Sequence, residues 1–136
     1  MPAVTPAELA ALLDAHAFTS RLRASVARVG DGECELEVPY HPEHDRPGGI
    51  VSGQLYMHAA DVAFWFAIKT TLGLDDGSVT SQMTTAFLGS AREEGFTCRA
   101  RVLRVGRRLV YGTAECAAGD RLLTHHTLTY ARAAPR

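Results

Sequence analysis

The sequence predicts an α+β fold in which an antiparallel sheet of about six strands wraps around a long central helix, preceded by a short N-terminal helix. Three observations predict it. Residues 52 to 72 have the start and stop signals of a helix yet are apolar almost all round, so that helix must be enclosed. Six other runs read as strands, with apolar and polar residues alternating. Glycine-bearing turns join several of them.

The short helix comes first. Thr5, Pro6 and Glu8 supply an N-cap, a first-turn proline and an early acid, and a helix from about Pro6 to His16 follows with Leu9, Leu12 and Leu13 on one face. Strands of about Arg21 to Val29 and Glu33 to Pro39 are joined by the turn Gly30-Asp31-Gly32. In the second strand Cys34, Leu36 and Val38 alternate with Glu33, Glu35 and Glu37, so one of its faces is wet. Residues 40 to 51, YHPEHDRPGGIV, are loop by composition. Ser52 then caps the long helix and Gly73 ends it after Leu72, a length of about 30 Å at about 1.5 Å per residue. Four strands supply the wrapping: about Ser78 to Leu88, Phe96 to Val105, Arg108 to Ala117 and Arg121 to Arg132. Gly106-Arg107 and Gly119-Asp120 stand at two of the turns between them.

Composition narrows the function. At 136 residues and 46% apolar content, residues 1 to 136 form one domain with one core. The 14 Lys+Arg nearly balance the 15 Asp+Glu, which argues against a nucleic-acid partner and an acidic tail. Lys69 is the only lysine, so the positive charge is carried by arginine, the side chain that best grips phosphate. Cys34, Cys98 and Cys116 are odd in number and widely spaced, which suits neither a disulfide framework nor a zinc site. The opening MPAVTPAELAALLDAHAF has no basic region and is interrupted by Glu8 and Asp14, so neither a signal peptide nor a membrane span is expected. A cytoplasmic location follows from these readings.

From Arg46 onward the motifs RPGG…SG, AADVAF, VTSQMTTAFL, ARVLRVGRRL and LLTHHTLTYAR resemble the acyl-CoA thioesterases of the phenylacetate-degradation type, which have the hotdog fold. The resemblance covers roughly residues 20 to 132. It implies hydrolysis of an acyl-CoA thioester by a homodimer or a dimer of dimers, with no cofactor beyond the coenzyme A of the substrate. It places the catalytic acid at Asp61, nine residues after Ser52, and the oxyanion donors at the helix start. The best-known members carry His-Gly-Gly where this chain has Ser52-Gly53-Gln54, and an upstream Asn that orients water is matched by Arg46. The same alignment makes Thr80 the residue that would hydrogen-bond water or the acyl group.

The chemistry of these residues can be read alongside the resemblance. Asp61 stands mid-helix among Met57, Ala60, Val62, Phe64 and Trp65, where aspartate is a poor helix former. It would serve as a general base or as a nucleophile, or else only satisfy a neighbouring hydroxyl or an arginine. The first-turn N–H groups of Gly53, Gln54 and Leu55 offer an oxyanion site, or an ordinary capped helix start. Eight residues separate Gly53 from Asp61, about 12 Å along the axis, too far for both to act on one thioester group. An antiparallel copy of the helix across a twofold axis would bring them together, so two composite sites per dimer are expected.

Further residues are candidates for substrate binding. Gln82 is expected on the same strand face as Thr80. Gln54 and His58, one turn apart, would line an acyl pocket with Met57, Phe64 or Trp65. Arg104, Arg107 and Arg108, together with Arg99 and Arg101, would hold the phosphates of coenzyme A or else form an exposed arginine-rich sheet face. His41-Pro42-Glu43-His44-Asp45 has metal-ligand types but no second cluster, and His125 and His126 point to opposite faces of a strand, so no metal is expected. A non-catalytic acyl-CoA-binding hotdog protein is the alternative, and a hotdog dehydratase ranks below it because its His-Phe-Pro-Gly pattern is absent.

Overall fold

The computed structural model describes residues 1–133. Helix α1 (Pro6–Ala15) opens on a capping box, in which the Glu8 N–H donates to the Thr5 hydroxyl at 3.2 Å and the Thr5 N–H donates to the Glu8 carboxylate at 3.0 Å. A second short turn, α2 (Ala17–Ser20), follows, so the chain is still coiled near the expected start of the first strand. The cause is Thr19, which is fully buried and whose hydroxyl lies 2.8 Å from the Leu13 carbonyl and 3.0 Å from that of His16. It satisfies carbonyls left over at the end of α1. Arg23 then turns left-handed, with φ 57°, and the strand begins only at Ser25.

Strands β1 (Ser25–Gly30) and β2 (Glu33–Val38) form the expected hairpin. Residues 40–51 are more than loop. A 3-10 turn at Pro42–His44 leads into a two-residue ladder, β3 (Asp45–Arg46) against β4 (Ile50–Val51), and Gly48 and Gly49 between them both take positive φ. Helix α3 (Gly53–Leu72) follows, and then β5 (Val79–Phe87), β6 (Phe96–Val105), β7 (Leu109–Ala118) and β8 (Arg121–Ala131). The long strands make one antiparallel six-stranded sheet in the order β1-β2-β6-β7-β8-β5, with α3 against one face. This is the hotdog arrangement.

Every second strand residue points at the helix: Cys34, Leu36 and Val38 in β2, Cys98 and Ala100 in β6, Ala114 and Cys116 in β7, and Leu128 and Tyr130 in β8 are all buried. Small residues on the helix, Ala59, Ala60, Ala63 and Ala67, let it close on the sheet. Gly112 completes the fit, because a Cβ there would run into both the Arg101 carbonyl and the Phe64 ring. On the outer face Arg101 pairs with Glu33 at 3.1 Å and Arg99 with Glu35 at 3.6 Å, so these two arginines belong to an ion-paired sheet surface. The cysteines are free and buried. Among the described residues no helix is long and apolar enough to cross a membrane.

The enclosure of α3 has one gap. From Leu55 to Thr70 every residue is buried except Met57, His58, Asp61 and Trp65, which continue from the exposed Gln54 at steps of three and four. The sheet leaves this single stripe open.

Candidate active site

Asp61 is half-buried in the middle of that stripe. Its Oδ1 accepts two short hydrogen bonds, from the Tyr130 hydroxyl at 2.6 Å and from the Thr80 hydroxyl at 2.7 Å. Tyr130 is buried on β8 and Thr80 lies on β5, and the two strands hold these residues directly opposite each other. Burial first, and then the Asp61 charge, push the Tyr130 phenol well above its usual range, so it stays a proton donor. Both donors spend themselves on Oδ1. Among the described residues Oδ2 has no hydrogen-bond partner, and no Arg, Lys or His pairs with the carboxylate.

A cavity of about 270 Å³ opens at this carboxylate, lined by Phe18, Val62, Trp65, Ser78, Val79, Thr80 and Tyr130. Its wall is braced from behind. Lys69 is buried, donates to the carbonyls of Leu74 (2.7 Å) and Asp76 (3.0 Å), and sits 4.7 Å from the centre of the Trp65 ring. Desolvation lowers the Lys69 pKa, with Asp76 and Asp75 opposing it. The Asp76 carboxylate in turn accepts from the Ser78 N–H at 3.1 Å and from its hydroxyl at 3.0 Å, which fixes the entry of β5 and hence Thr80.

The start of α3 faces a different and larger cavity of about 800 Å³, whose lining includes Arg21, Arg23, Arg46, Ser52, Gln54 and His58. The Ser52 hydroxyl accepts from the Gln54 N–H at 3.3 Å, and the Leu55 N–H donates to the Ser52 carbonyl at 3.0 Å. Of the three expected oxyanion donors, Leu55 is therefore engaged, Gln54 is weakly capped, and Gly53 alone has no partner among the described residues. The Phe87 ring lies 3.0 Å from where a Cβ on Gly53 would be. Burial lowers the His58 imidazole pKa, opposed by the Phe18 carbonyl and the Asp61 carboxylate.

Asp61, Thr80 and Trp65 therefore meet at one cavity, and Arg46, Ser52, Gln54 and His58 at the other. Met57 lies exposed on the open stripe and Phe64 is buried against the sheet, away from both. Gln82 is a correction. A bulge at Ser81 pairs Thr80 with Tyr130 but Gln82 with Thr129, so Gln82 turns to the outer face and Met83 takes the inner position. Arg104, Arg107 and Arg108 line neither cavity, and among the described residues none makes an ion pair. His41 spends its Nδ1 on the Glu43 N–H, and among the described residues no cluster could hold a metal. His126 is buried between the Thr85 and Thr124 hydroxyls at 2.8 and 2.7 Å, with His125 on the opposite face.

Sequence reasoning missed Tyr130, Phe18 and the pair Arg21 and Arg23. Tyr130 had one available signal, its place on the buried face of the last strand, where a phenol needs a partner.

Comparisons with known proteins bear on the family and the fold. A family model described as "Thioesterase superfamily" matches residues 48–125. A Saccharolobus solfataricus protein with the name "Putative esterase SSO2140" is 30% identical over 99 residues, 73% of this chain and 70% of that protein. The structure of a conserved protein from Pseudomonas aeruginosa superposes with TM-score 0.85 at 26% identity, covering 90% of this chain and 98% of that one. A hypothetical thioesterase protein from Streptococcus pneumoniae, solved with coenzyme A, shares the fold with TM-score 0.74 at 15% identity, over 83% of this chain and 88% of that one.

Proposed function

This chain belongs to the thioesterase superfamily, and from that premise we propose that it hydrolyses an acyl-CoA thioester to the free acid and coenzyme A, as a homodimer with two composite sites. The observation that carries this reading is the Oδ2 of Asp61, without a hydrogen-bond partner among the described residues, at a largely apolar open cavity, with both hydroxyl donors committed to Oδ1.

In the proposed reaction Oδ2 takes a proton from water as the water oxygen attacks the thioester carbonyl. The Gly53 N–H, joined by that of Gln54, receives the developing oxyanion. Collapse of the tetrahedral intermediate breaks the C–S bond, and the proton held on Asp61 passes to the departing thiolate. Direct attack by Oδ2, giving an anhydride that water then opens, uses the same groups. Thr80 has given its hydrogen to Asp61 and retains lone pairs with which to accept from that water.

The two halves of this machinery lie in different cavities of one chain, and β5 supplies the means to join them. It is the last strand of the sheet, its outer edge is unpaired among the described residues, and Val79 and Phe87 along it and Leu88 just beyond it are 63, 56 and 60% exposed. Thr80 meets Asp61 at one end of β5, and Phe87 meets Gly53 at the other. A second copy pairing antiparallel with Thr80 opposite Phe87 would set Asp61 of one chain beside Gly53 of the other. Arg21, Arg23 and Arg46 would then line the approach for the coenzyme A phosphates from one chain. Arg104, Arg107 and Arg108 would approach from the other, because their hairpin lies at the Tyr130 end of the sheet. The coenzyme A of the Streptococcus pneumoniae neighbour supports this choice of carrier.

A thiol-release assay over short, long and aromatic acyl-CoAs tests the reading. Asp61→Asn should lower kcat by about 10²- to 10⁴-fold and leave acyl-CoA binding in place. Unchanged turnover would remove Asp61 from the reaction. Binding without thiol release by the wild-type chain would make the protein an acyl-CoA-binding module.

A further inference from the structure

The turn α2 carries an apolar ring that the core does not use. Phe18 is 46% exposed, yet it is not loose: its ring centroid lies 6.1 Å from that of His58 at 28°, and 6.0 Å from that of Trp65 at 43°. His58 precedes Asp61 by three residues and Trp65 follows it by four, so Phe18 bridges the open stripe of α3 over the carboxylate. The turn that presents it is pinned by the buried Thr19 hydroxyl against the end of α1. Two and three residues after Phe18, Ser20 and Arg21 line the larger cavity. The turn α2 is thus a ridge between the two cavities, with Phe18 on the Asp61 side. It also lies outside the stretch that the family model matches.

We infer that Phe18 determines acyl-group specificity: the N-terminal segment lays this ring across the mouth of the Asp61 cavity and limits the acyl group that can lie in it. Without Phe18 the cavity would open toward the half-buried His58 side of the stripe. At about 270 Å³ it falls just short of the roughly 300–1,000 Å³ of pockets that take drug-sized ligands, so it holds a short or medium chain or a single aromatic ring. Each methylene accepted or refused in such a pocket discriminates by roughly 10- to 200-fold. The inference rests on the thioesterase reading for what the cavity holds and is separable from it by experiment.

The decisive measurement is the ratio of kcat/KM for dodecanoyl-CoA to that for butanoyl-CoA. Phe18→Ala should raise this ratio tenfold or more and Phe18→Trp should lower it; a ratio within twofold of wild type in both variants overturns the inference. A readout independent of turnover uses Trp65, the chain's one tryptophan, which lines the cavity and touches Phe18. In an Asp61→Asn background, Trp65 fluorescence titrated with the two acyl-CoAs should show the same shift in relative Kd on adding Phe18→Ala. If the wild-type chain hydrolyses neither thioester, the hydrolase reading falls while this titration still decides the role of Phe18: a tenfold shift upholds it, and equal ratios or no binding overturn it. Circular dichroism and thermal melting confirm that each variant is folded.

Discussion

At the scale of single residues the site is a carboxylate with its two oxygens made unequal. Tyr130 and Thr80 hold Oδ1, and Oδ2 has no hydrogen-bond partner among the described residues. A hydrogen bond to a charged group contributes about 1.5–3 kcal/mol, so Tyr130→Phe should lower stability by about that much in chemical denaturation at neutral pH. The same phenol makes a pH prediction. Its pKa is raised in the folded state by burial and by Asp61, so its contribution to stability is full below the unfolded value of about 10 and is lost as pH rises above that. Chemical denaturation between neutral and alkaline pH should therefore give a shallower alkaline decline in Tyr130→Phe than in wild type. The position of Asp61 was legible in the sequence, from its alignment with the acid of the resembled family and from an aspartate standing among apolar helical residues. Tyr130 was not, because 69 residues separate it from its partner and a buried strand tyrosine looks locally like any other core residue.

At the scale of elements, alternation and turn residues were enough to place the long helix and all six strands. They failed where the backbone departs from regular period. The Ser81 bulge reverses the facing of Gln82, and no local feature of VTSQMTTAFL marks it. The turn α2 depends on one hydroxyl reaching back to carbonyls six and three residues away, which a strand-like reading of that segment overlooks. Close packing between elements gives a stability prediction: Gly112→Ala forces a methyl between the Arg101 carbonyl and the Phe64 ring and should cost about 1–3 kcal/mol in chemical denaturation. The helix start allows a cleaner test of chemistry. Ser52 already has the extended backbone (φ −63°, ψ 137°) that precedes proline, and proline is favoured at the first helical position. Gly53→Pro should delete the Gly53 N–H and lower kcat by about 10²- to 10³-fold, while its Cβ displaces the exposed Phe87 ring, a cost that thermal melting reads separately.

At the scale of the whole molecule the separation of Asp61 from Gly53 along one helix becomes a statement about assembly. Mixing Asp61→Asn and Gly53→Pro chains, each inactive alone, should restore activity to about a quarter of wild type, because half the dimers would be mixed and each mixed dimer would have one intact site. No recovery after verified subunit exchange would place the whole site in a single chain. The brace behind the cavity has a separate consequence. Lys69 is the only ε-amine in the sequence, 3% exposed and bound to the Leu74 and Asp76 carbonyls, so an acylating reagent finds no side-chain amine on the folded surface. The rate at which Lys69 is modified becomes a clock for the opening of the 73–78 segment, and peptide mass spectrometry can read that motion from one atom.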